Sequence, residues 1–407
     1  MMNASHRNAF DVAVIGAGPA GAATARALSL SGCRVLLVER SAFNAVRVGE
    51  TLAPSVQPLL SALGVWDRFL ALDPLPSWGT RSLWGGPDAQ EHSHVMSPYG
   101  CGWHVDRQRF DRMLADAAAS AGATLCTETR LIECEARGRT SWCLTLARTP
   151  RTSAASCSPV TLVTADVVVD ATGRQARLAR RLGARRLVID KLVGLTTQFT
   201  HLPTEDQCYT LIEAAADGWW YSAPVGDNRL ITMLMTDSDL CGRLDLASSD
   251  VWTRHLGVSD VTAARIGNAP RVWGPRPFSA LSHRLCRDDD TASWVAVGDA
   301  ALAVDPASGS GVVRALRSAH AGAEAALARL QRASPDAVEQ YEADLDHEWT
   351  RYLQERAMYY EMEPRWRESP FWQRRSTPLP PPQAHSQASA CCPKARRLRR
   401  SVAPFRP

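Results

Sequence analysis

The chain opens on a regular alternation of buried strand, helix and strand. Residues 11–15 form a short apolar run, residues 22–31 place small and apolar side chains at helical spacing, and residues 34–38 are again almost wholly apolar. Short apolar runs of this kind are typical of strands that are buried on both faces of a parallel sheet. The pattern predicts a βαβ unit over residues 10–40.

After this unit the hydrophobic period changes several times. The predicted elements are, in order, a short helix near 59–65, a loop at 73–87, a helix at 108–121, strands at 124–127, 131–136, 141–147 and 160–164 with a polar loop at 148–158, a buried strand at 165–170, alternating stretches at 192–199, 219–224 and 229–235, a buried strand at 293–297, and helices at 311–332 and 336–360 separated by Pro335. The alternating stretches predict a mostly antiparallel sheet with one face exposed or lining a cavity.

Three glycines occupy the turn between the first strand and the first helix. Gly16 permits a tight turn, Gly18 lets a diphosphate approach the backbone, and Gly21 allows the helix to pack closely on the sheet. Glu39, at the end of the second strand, is placed to accept a hydrogen bond from a ribose hydroxyl. The spacing predicts dinucleotide binding. The alternative, an ordinary glycine-bearing turn, leaves the position of Glu39 unexplained.

Composition and charge exclude several classes of protein. A formal net charge of +4 over 407 residues is too small to indicate a nucleic-acid-binding protein, and no apolar stretch is long enough for a membrane span. The eleven cysteines lack metal-binding spacing, so we expect no metal site and reduced thiols in a cytoplasmic protein without a signal peptide. Residues 377–407 are rich in proline and arginine and lack acidic residues, which predicts a disordered basic tail.

Three later segments are positioned to approach the same nucleotide. The strand that ends at Asp170 continues into Ala-Thr-Gly, whose small residues suit a close crossing of the chain. Asp299 follows Gly298 at the end of another buried strand, where a carboxylate can bind ribose or ribityl hydroxyls. Gly309 and Gly311 open a long helix, whose N-terminus can stabilise negative charge on a reduced flavin. Together the three segments favour FAD as the nucleotide.

The order of these segments resembles that of the FAD-dependent aromatic-hydroxylase superfamily over about residues 10–365. The stretches Arg-Val-Gly-Glu-Thr-Leu-Ala-Pro at 47–54 and Gly-Asp-Ala-Ala-Leu-Ala-Val-Asp-Pro at 298–306 resemble its tryptophan-halogenase-like branch. Gly-Trp-Trp-Tyr-Ser-Ala-Pro at 218–224 is most similar to the flavoprotein maturases that hydroxylate a tryptophan of a partner polypeptide while a tryptophylquinone cofactor is built.

The resemblance implies that FAD is bound by residues from all of these segments, namely Gly16, Gly18, Gly21, Glu39, Arg107 and Asp299. The predicted cofactor site also includes their neighbours Pro19, Ala20, Arg40, Arg47, Gly298, Gly309 and Gly311. For Arg107 the alternative is a surface residue at the start of a helix.

The periods and the resemblance together predict the fold class. We expect an α/β protein in which a Rossmann-like FAD-binding domain of the glutathione-reductase type is interleaved with a mostly antiparallel β-sheet substrate domain, followed by a helical C-terminal region. The predicted ranges follow the chain: FAD-binding domain at 10–186 and 281–332, substrate domain at 187–280, helical region at 333–376 and tail at 377–407.

The available side chains favour hydroxylation over halogenation. Halogenases of this branch depend on a lysine shortly after the Gly-Glu segment, whereas Lys191 and Lys394 are the only lysines of this chain. Arginine is a poor substitute, because it stays protonated and has a different shape. For hydroxylation the protein has only to orient the substrate and to provide a dry cavity and suitable electrostatics, because a flavin C4a-hydroperoxide carries the oxygen.

Five side chains are candidates for the chemistry or for the substrate pocket. The resemblance places Glu50 beside the isoalloxazine, and a helix-capping acid is the alternative. His104 is either a proton donor near the flavin or a buried core histidine. In a strand, Trp219 and Tyr221 share one face and Trp220 lies on the other. All three are candidates for the wall of an aromatic substrate pocket, with ordinary sheet packing as the alternative.

The sequence thus predicts an FAD-dependent monooxygenase that hydroxylates an aromatic group, such as an indole, in a small molecule or in a tryptophan of a partner polypeptide. Since only one dinucleotide fingerprint is present, we expect electrons from transiently bound NAD(P)H or from a separate flavin reductase. The alternatives are a halogenase, a reductase of a carbon–carbon double bond, and a non-catalytic flavin-binding scaffold. The unusual Ser-Gly-Ser-Gly-Val at 308–312 keeps the last one open.

Overall fold

The computed structural model describes residues 8–138, 141–148, 160–200, 208–287, 293–332 and 336–376. Its strands are, in chain order, β1 (Ala9–Ile15), β2 (Val35–Val38), β3 (Thr51–Leu52), β4 (Leu75–Ser77), β5 (Gly79–Leu83), β6 (Gln90–Ser93), β7 (Gly102–His104), β8 (Thr124–Cys126), β9 (Thr129–Arg137), β10 (Ser141–Arg148), β11 (Val160–Asp170), β12 (Arg185–Val188), β13 (Leu192–Thr200), β14 (Tyr209–Ala215), β15 (Gly218–Val225), β16 (Arg229–Asp237), β17 (Arg271–Ser279), β18 (His283–Cys286), β19 (Trp294–Ala296) and β20 (Leu302–Ala303). Its helices are α1 (Pro19–Leu30), α2 (Val56–Ala62), α3 (Trp66–Leu70), α4 (Arg107–Ser120), α5 (Arg177–Arg181), α6 (Ser238–Arg243), α7 (Ser249–Gly257), α8 (Val261–Ile266), α9 (Gly311–Gln331), α10 (Asp336–Glu361) and α11 (Pro370–Ser376).

The first sheet contains the predicted βαβ unit. β1 lies at its centre, paired in parallel with β2 on one side and β11 on the other, and β8 and β19 extend the parallel part. β10 and β9 add antiparallel strands beyond β11. α1 covers this sheet with small buried residues such as Ala22 and Ala25, which allows the close approach of helix to sheet. The prediction of a Rossmann-like layer is confirmed.

β11 is one long strand where two were predicted. Its first half, with Val160 and Leu162 exposed, pairs with β10, whereas its buried second half pairs with β1 and β19. The sequence changes character at this point because the strand changes partners from an exposed hairpin to the parallel core. The change in the hydrophobic pattern therefore predicts a boundary between two strands at a point where the single strand β11 continues.

The second sheet is mostly antiparallel, as predicted, with the strand order β17-β13-β16-β15-β14-β5-β6. The pairing of β14 with β5 is parallel. The prediction of a loop over residues 73–87 is wrong, because this stretch contains β4 and β5. Its proline, glycine and tryptophan content hides the strand pattern, and hydrogen bonds to β14 hold β5 in place. Because β5 and β6 come from residues 79–93, the sheet draws on more of the chain than residues 187–280.

Each face of the second sheet is covered by helices. On one face Trp220 packs against Trp252 of α7, with ring centroids 5.3 Å apart. The helices α6, α7 and α8 lie within a range that was predicted as sheet, and they were missed because each is too short to establish a helical period. On the opposite face, α10 and α11 cover Trp219, with Tyr360 and Trp372 among the buried side chains.

The C-terminal region contains the two long helices that the sequence predicts, as α9 and α10. Pro335, the predicted break between them, and the tail at 377–407 lie outside the described residues. α11 is joined to the second sheet by a buried ion pair, in which Nη2 of Arg375 lies 2.7 Å from Oδ1 of Asp237. In the described ranges, no helix combines the length and the apolar character that a membrane crossing requires.

Candidate functional site

The glycine turn after β1 forms a cradle that only glycine fits. Gly16 has a φ of +106°, and a Cβ atom there would lie 2.2 Å from the carbonyl oxygen of Ala171. A Cβ atom on Gly21 would lie 1.9 Å from the carbonyl oxygen of Gly16. Gly18 is different, because the nearest atom to its Cβ position is Nη1 of Arg47 at 3.9 Å. The space over Gly18, at the N-terminus of α1, suits a diphosphate.

Glu39 lies at the end of β2 beside this cradle and is buried. Its carboxylate accepts hydrogen bonds from the backbone N–H of Ala17 at 3.1 Å, from Ser41, and from Nη2 of Arg47 at 3.0 Å. Burial opposes ionisation of this carboxyl, but the charge of Arg47 and the hydrogen bonds hold the pKa of Glu39 below its ordinary value. The ionised carboxylate is the acceptor that a ribose hydroxyl requires.

Two arginines are held at the open side of the cradle by one buried acid. Asp111 of α4 pairs with Arg47 at 2.7 Å and with Arg107 at 3.0 Å. Arg107 also donates to the carbonyl oxygen of Val48. These contacts position positive charge near the space over Gly18, which fits a diphosphate. Arg40, the remaining arginine of the predicted cofactor site, is exposed.

The segment that follows β11 and the segment at 298–299 both lie against the cradle. Gly298 has a φ of +58°, and a Cβ atom there would lie 2.6 Å from the Cβ of Ala20. Asp299, which is one-third exposed, forms an ion pair with Arg174, whose Nε lies 3.3 Å from Oδ2 of Asp299. Arg174 was not singled out from the sequence, although it directly follows the Ala-Thr-Gly segment. Its guanidinium donates to the carbonyl oxygens of residues 280, 281 and 304, and so ties the two segments together.

The segment before α9 presents open backbone. Gly309 has a φ of +59°, and no atom lies within 4 Å of the Cβ positions of Gly309 and Gly311. In the described part of the chain no side chain caps the N-terminus of α9, so its N–H groups are available to a ligand. Asp305 anchors the start of the segment by accepting from the N–H of Ala307 at 2.9 Å.

Glu50 is a buried acid between the two sheets. Its carboxylate accepts from the N–H of Gly49 at 3.0 Å, and it lines a small cavity of about 40 Å³ together with Arg107 and, from the second sheet, Gln198 and Trp273. Burial raises the pKa of Glu50 to about 7. The carboxyl is therefore suited to gain or lose a proton near neutral pH.

His104 lies in a buried hydrogen-bonded cluster centred on Thr51. The Thr51 hydroxyl is 3.1 Å from Nδ1 of His104, 2.8 Å from the hydroxyl of Thr210 and 2.9 Å from that of Tyr221. Burial lowers the pKa of His104 to about 3, so the imidazole is neutral. These contacts favour the structural alternative for His104, while its role as a proton donor stays a prediction. The pairing of β3 with β7 brings Thr51 and His104 together, while β14 and β15 supply Thr210 and Tyr221, an arrangement that no local pattern indicated.

The three aromatic candidates of β15 lie on two faces, as the strand period predicts. Trp219 is buried, and its Nε1 donates to the hydroxyl of Tyr360 at 3.2 Å. Tyr221 is on the same face and bonds Thr51, whereas Trp220 packs on the opposite face against Trp252. The pocket roles of all three stay predictions, and Trp220 faces away from the other two.

An apolar cluster on one face of the second sheet reaches the cofactor-facing segments. Its buried members include Trp219 and Tyr360, and the partly buried side chains of Val48, Tyr221, Trp273, Ala307 and Tyr359 pack against it. Tyr359 and Tyr360 of α10 were not predicted as site residues. The signal that could have found them is the run of Tyr352, Arg356, Tyr359 and Tyr360 along a helix that is otherwise rich in charged residues.

Two kinds of chemistry lack their residues here. The only lysine in the described ranges, Lys191, is 65% exposed and lies 4.0 Å from Asp239, at the surface of the second sheet. In those ranges no group of His, Cys, Asp or Glu side chains is arranged to hold a metal ion.

The chain is similar to known flavoproteins over most of its length. The sequence profile of the FAD binding domain family matches residues 9–355. LodB of Marinomonas mediterranea, named as an FAD-dependent oxidoreductase, is 30% identical over 372 residues, which are 90% of this chain and 96% of LodB. Other curated relatives, at 24% to 26% identity, include halogenases and a digeranylgeranylglycerophospholipid reductase.

Solved structures agree with this assignment. The myxobacterial chondrochloren halogenase CndH superposes with a TM-score of 0.82 at 24% identity, covering 94% of this chain and 88% of CndH. QhpG, a peptidyl tryptophan dihydroxylase essential for tryptophylquinone cofactor biogenesis, superposes with a TM-score of 0.70 at 27% identity, covering 92% of this chain and 80% of QhpG. The chain therefore belongs to the FAD binding domain family and is an FAD-dependent oxidoreductase with halogenases and a peptidyl tryptophan hydroxylase among its relatives.

Proposed function

We propose that this protein is an FAD-dependent monooxygenase that hydroxylates an aromatic substrate, with a tryptophan side chain of a partner polypeptide as the first candidate. The observation that carries the proposal is the apolar cluster on one face of the second sheet. Val48 and Ala307, beside the cofactor cradle, and the side chains of Tyr221, Trp273 and Tyr359 all pack against this cluster while remaining partly exposed. Such a contact region can hold an aromatic ring and exclude water. The similarity to QhpG supports a tryptophan within a polypeptide.

The residues of the cradle fit bound FAD. The open backbone over Gly18 and the side chains of Arg47 and Arg107 would hold the diphosphate, while Glu39 and Asp299 would accept from sugar hydroxyls. Bound FAD would supply the oxygen-activating redox chemistry. The free N–H groups at the start of α9 would stabilise negative charge on the cofactor. The remaining task of the protein is to orient the substrate in a dry site.

Glu50 is the first candidate for proton transfer. It is buried between the cradle and the second sheet, and its pKa of about 7 lets the carboxyl exchange a proton at physiological pH. His104 is a weaker candidate, because its ring is buried, neutral and hydrogen-bonded to Thr51.

Halogenation is the less favoured alternative. Halogenation in this branch depends on a lysine shortly after the Gly-Glu segment, whereas Lys191, the lysine of the described ranges, lies far from that segment in the chain, is exposed and pairs with a surface acid. A reductase of a carbon–carbon double bond remains the other alternative, supported by the 26% identity to a digeranylgeranylglycerophospholipid reductase. An apolar cluster accepts an isoprenoid chain as well as an aromatic ring, so the packing alone does not separate these two activities.

A turnover assay tests the proposal. FAD-loaded protein is supplied with a flavin reductase and NAD(P)H, and offered tryptophan-containing peptides, free indoles and an unsaturated isoprenoid, with and without oxygen. We expect an oxygen-dependent product that has gained the mass of one oxygen atom per turn. Product formation without oxygen would support the reductase, a halide-dependent product would support halogenation, and peroxide release alone would contradict the proposal. The electron donor and the cytoplasmic location stay predictions.

A further inference from the structure

A cavity of about 310 Å³ lies between the start of α9, the segment before it and the C-terminal half of α10. This volume is at the lower end of the roughly 300–1,000 Å³ that is usual for small-molecule sites. The predicted pocket residues Trp219, Trp220 and Tyr221 do not line it. The cavity is thus a second concave site, and none of the predicted site residues lines it.

The apolar wall of the cavity is formed by three tyrosines of α10. The hydroxyl of Tyr352 bonds Ser282 at 2.7 Å, and that of Tyr360 donates to Asp305 at 2.7 Å, so both hydroxyls are engaged behind the wall. The ring of Tyr359 lies 4.4 Å from that of Trp84. The tyrosines are therefore held in place and present ring surface, which is the surface that an aromatic ligand contacts best.

Arg356 lines the same cavity with unused hydrogen-bonding capacity. Its side chain is only 5% exposed, and in the described residues its buried Nε has no hydrogen-bond partner. The nearest acids, Asp190 at 3.7 Å and Asp305 at 4.0 Å, are beyond hydrogen-bond distance. A guanidinium carries five N–H donors, and buried donors without an acceptor are costly. A ligand that brings an oxygen acceptor into the cavity would remove this cost.

The charges around Arg356 indicate what kind of acceptor fits. Two carboxyls, of Asp190 and Asp305, already flank its guanidinium. Three more arginines line the cavity: Arg314 pairs with Glu348 at 3.3 Å, Arg351 pairs with Glu355 at 3.6 Å, and Arg317 is exposed. A further full negative charge beside Arg356, such as a phosphate, would lie close to the two flanking acids and be repelled by them. An uncharged carbonyl oxygen accepts from the guanidinium without this penalty. In a peptide, an aromatic residue carries such an uncharged carbonyl oxygen on its own main chain.

The cavity borders the segment that we expect at the flavin edge. Ala307, Ser308 and Ser310 line it, and they belong to the segment that precedes α9 at the expected flavin edge. Ala307 and Tyr359 also pack against the apolar cluster below β15. A ring on the tyrosine wall would therefore lie beside the cofactor-facing segment.

We infer that this cavity binds an aromatic residue as part of a peptide, with the ring on the tyrosines of α10 and a main-chain carbonyl oxygen on Arg356. The inference rests on the proposed function and deepens it, since it makes the substrate a peptide-linked aromatic residue and not a free indole. Arg356 is then a specificity-determining residue.

Binding of small probes tests the inference without turnover. The dissociation constants of N-acetyltryptophanamide, which has peptide carbonyls, and of 3-methylindole, which has none, are measured by ligand-observed NMR on the FAD-loaded full chain. We expect the amide to bind roughly tenfold more tightly or better, the effect of a hydrogen bond to a charged group. Arg356→Met should abolish this preference and leave 3-methylindole binding unchanged. Equal binding of both probes to the unchanged protein would overturn the inference.

A pair of neighbouring surface substitutions locates the binding. Glu355 and Gln354 are both exposed on α10, but only Glu355 lines the cavity. We expect Glu355→Trp to weaken binding of both probes at least tenfold, because the indole obstructs the cavity, and Gln354→Trp to leave it unchanged. Equal effects of the two substitutions would overturn the inference, even if Arg356→Met failed to fold.

The two proposals fail in different ways. If the protein hydroxylates a tryptophan-containing peptide but Glu355→Trp leaves KM unchanged, the cavity inference is wrong and the proposed function stands. If the probes bind as expected but no aromatic compound is oxygenated, the proposed reaction is wrong and the cavity remains a binding site.

Discussion

The hydroxyl of Tyr360, in α10, donates to a carboxylate oxygen of Asp305 at 2.7 Å, and the two residues are 55 positions apart in the chain. The same hydroxyl accepts from Nε1 of Trp219 at 3.2 Å. One oxygen atom therefore connects the C-terminal helices, the second sheet and the segment that precedes α9. This link couples the cofactor-facing segment to the region that carries the substrate cavity.

Removal of the Tyr360 hydroxyl should lower the stability of the protein. Tyr360→Phe leaves the buried indole N–H of Trp219 and one oxygen, Oδ2, of the buried Asp305 without a hydrogen-bond partner, and we expect a loss of about 1–3 kcal/mol in the free energy of unfolding. Denaturant titration of the full chain measures it. Tyr99→Phe, at an exposed tyrosine, is the control and should change stability little. Equal stability of the Tyr360→Phe variant and the unchanged protein would contradict the role of this contact.

The glycine cradle predicts different results for two alanine substitutions. Gly18→Ala meets no atom closer than 3.9 Å, so the protein should stay folded but bind FAD at least tenfold more weakly, because the methyl group occupies the space of the diphosphate. Gly16→Ala meets the carbonyl oxygen of Ala171 at 2.2 Å and should lower both stability and FAD content.

Thermal melts of the FAD-free protein and fluorescence titration with FAD separate the two effects. Gly32→Ala is the matched control for backbone strain, since Gly32 also has a positive φ but no atom lies within 4 Å of its Cβ position. A Gly18→Ala variant that binds FAD normally would remove Gly18 from the cofactor site.

The ion pair between Arg375 and Asp237 should anchor α11 strongly. Both side chains are 2% exposed, so Arg375→Met removes the buried partner of Asp237 and leaves its carboxylate only the more exposed Arg374; we expect a loss of about 1–3 kcal/mol in stability. Arg374→Met removes the second pairing of the same carboxylate, in which the arginine is 40% exposed, and should cost at most about 1 kcal/mol. Denaturant unfolding compares the two, and similar losses would show that burial does not set the strength of this anchor.

Glu50 should make stability depend on pH. Because burial raises its pKa to about 7 in the folded protein, the folded state keeps a proton that the unfolded state has lost between about pH 4.5 and 7. The contribution of Glu50 to stability is therefore complete below pH 4.5 and is lost as pH rises to about 7. Relative to the unchanged protein, Glu50→Gln should gain stability by about 2–3 kcal/mol between pH 5 and pH 8.

Unfolding of the FAD-free protein at both pH values checks this difference. Glu339→Gln, at an exposed residue of α10, serves as the control and should follow the unchanged protein at both pH values. If Glu50→Gln also follows the unchanged protein, the carboxyl of Glu50 is ionised in the folded state at neutral pH, and its role as the proton-transfer candidate loses its basis.

Structural features that depend only on residues close together in the chain could be predicted from the sequence. The spacing of Gly16, Gly18 and Gly21 between a strand and a helix predicted the turn, and the strand period predicted that Trp220 faces away from Trp219. The sequence-based predictions were wrong where the pairing partner of a strand determines its structure. β5 is held by its parallel pairing with β14, and β11 changes partners halfway along its length. Both features depend on residues that are far away in sequence.

The sequence alone determined the fold class and the glycine turn, because glycine positions, strand and helix periods and the acid after β2 are local properties of the chain, and the resemblance of its motifs indicated the family. The tertiary structure decided which side chains share a site. The contact of Tyr360 with Asp305, the cluster around Thr51, and the cavity in which Nε of Arg356 has no hydrogen-bond partner each combine residues from separate elements. Such contacts depend on packing between distant segments, which no local period records.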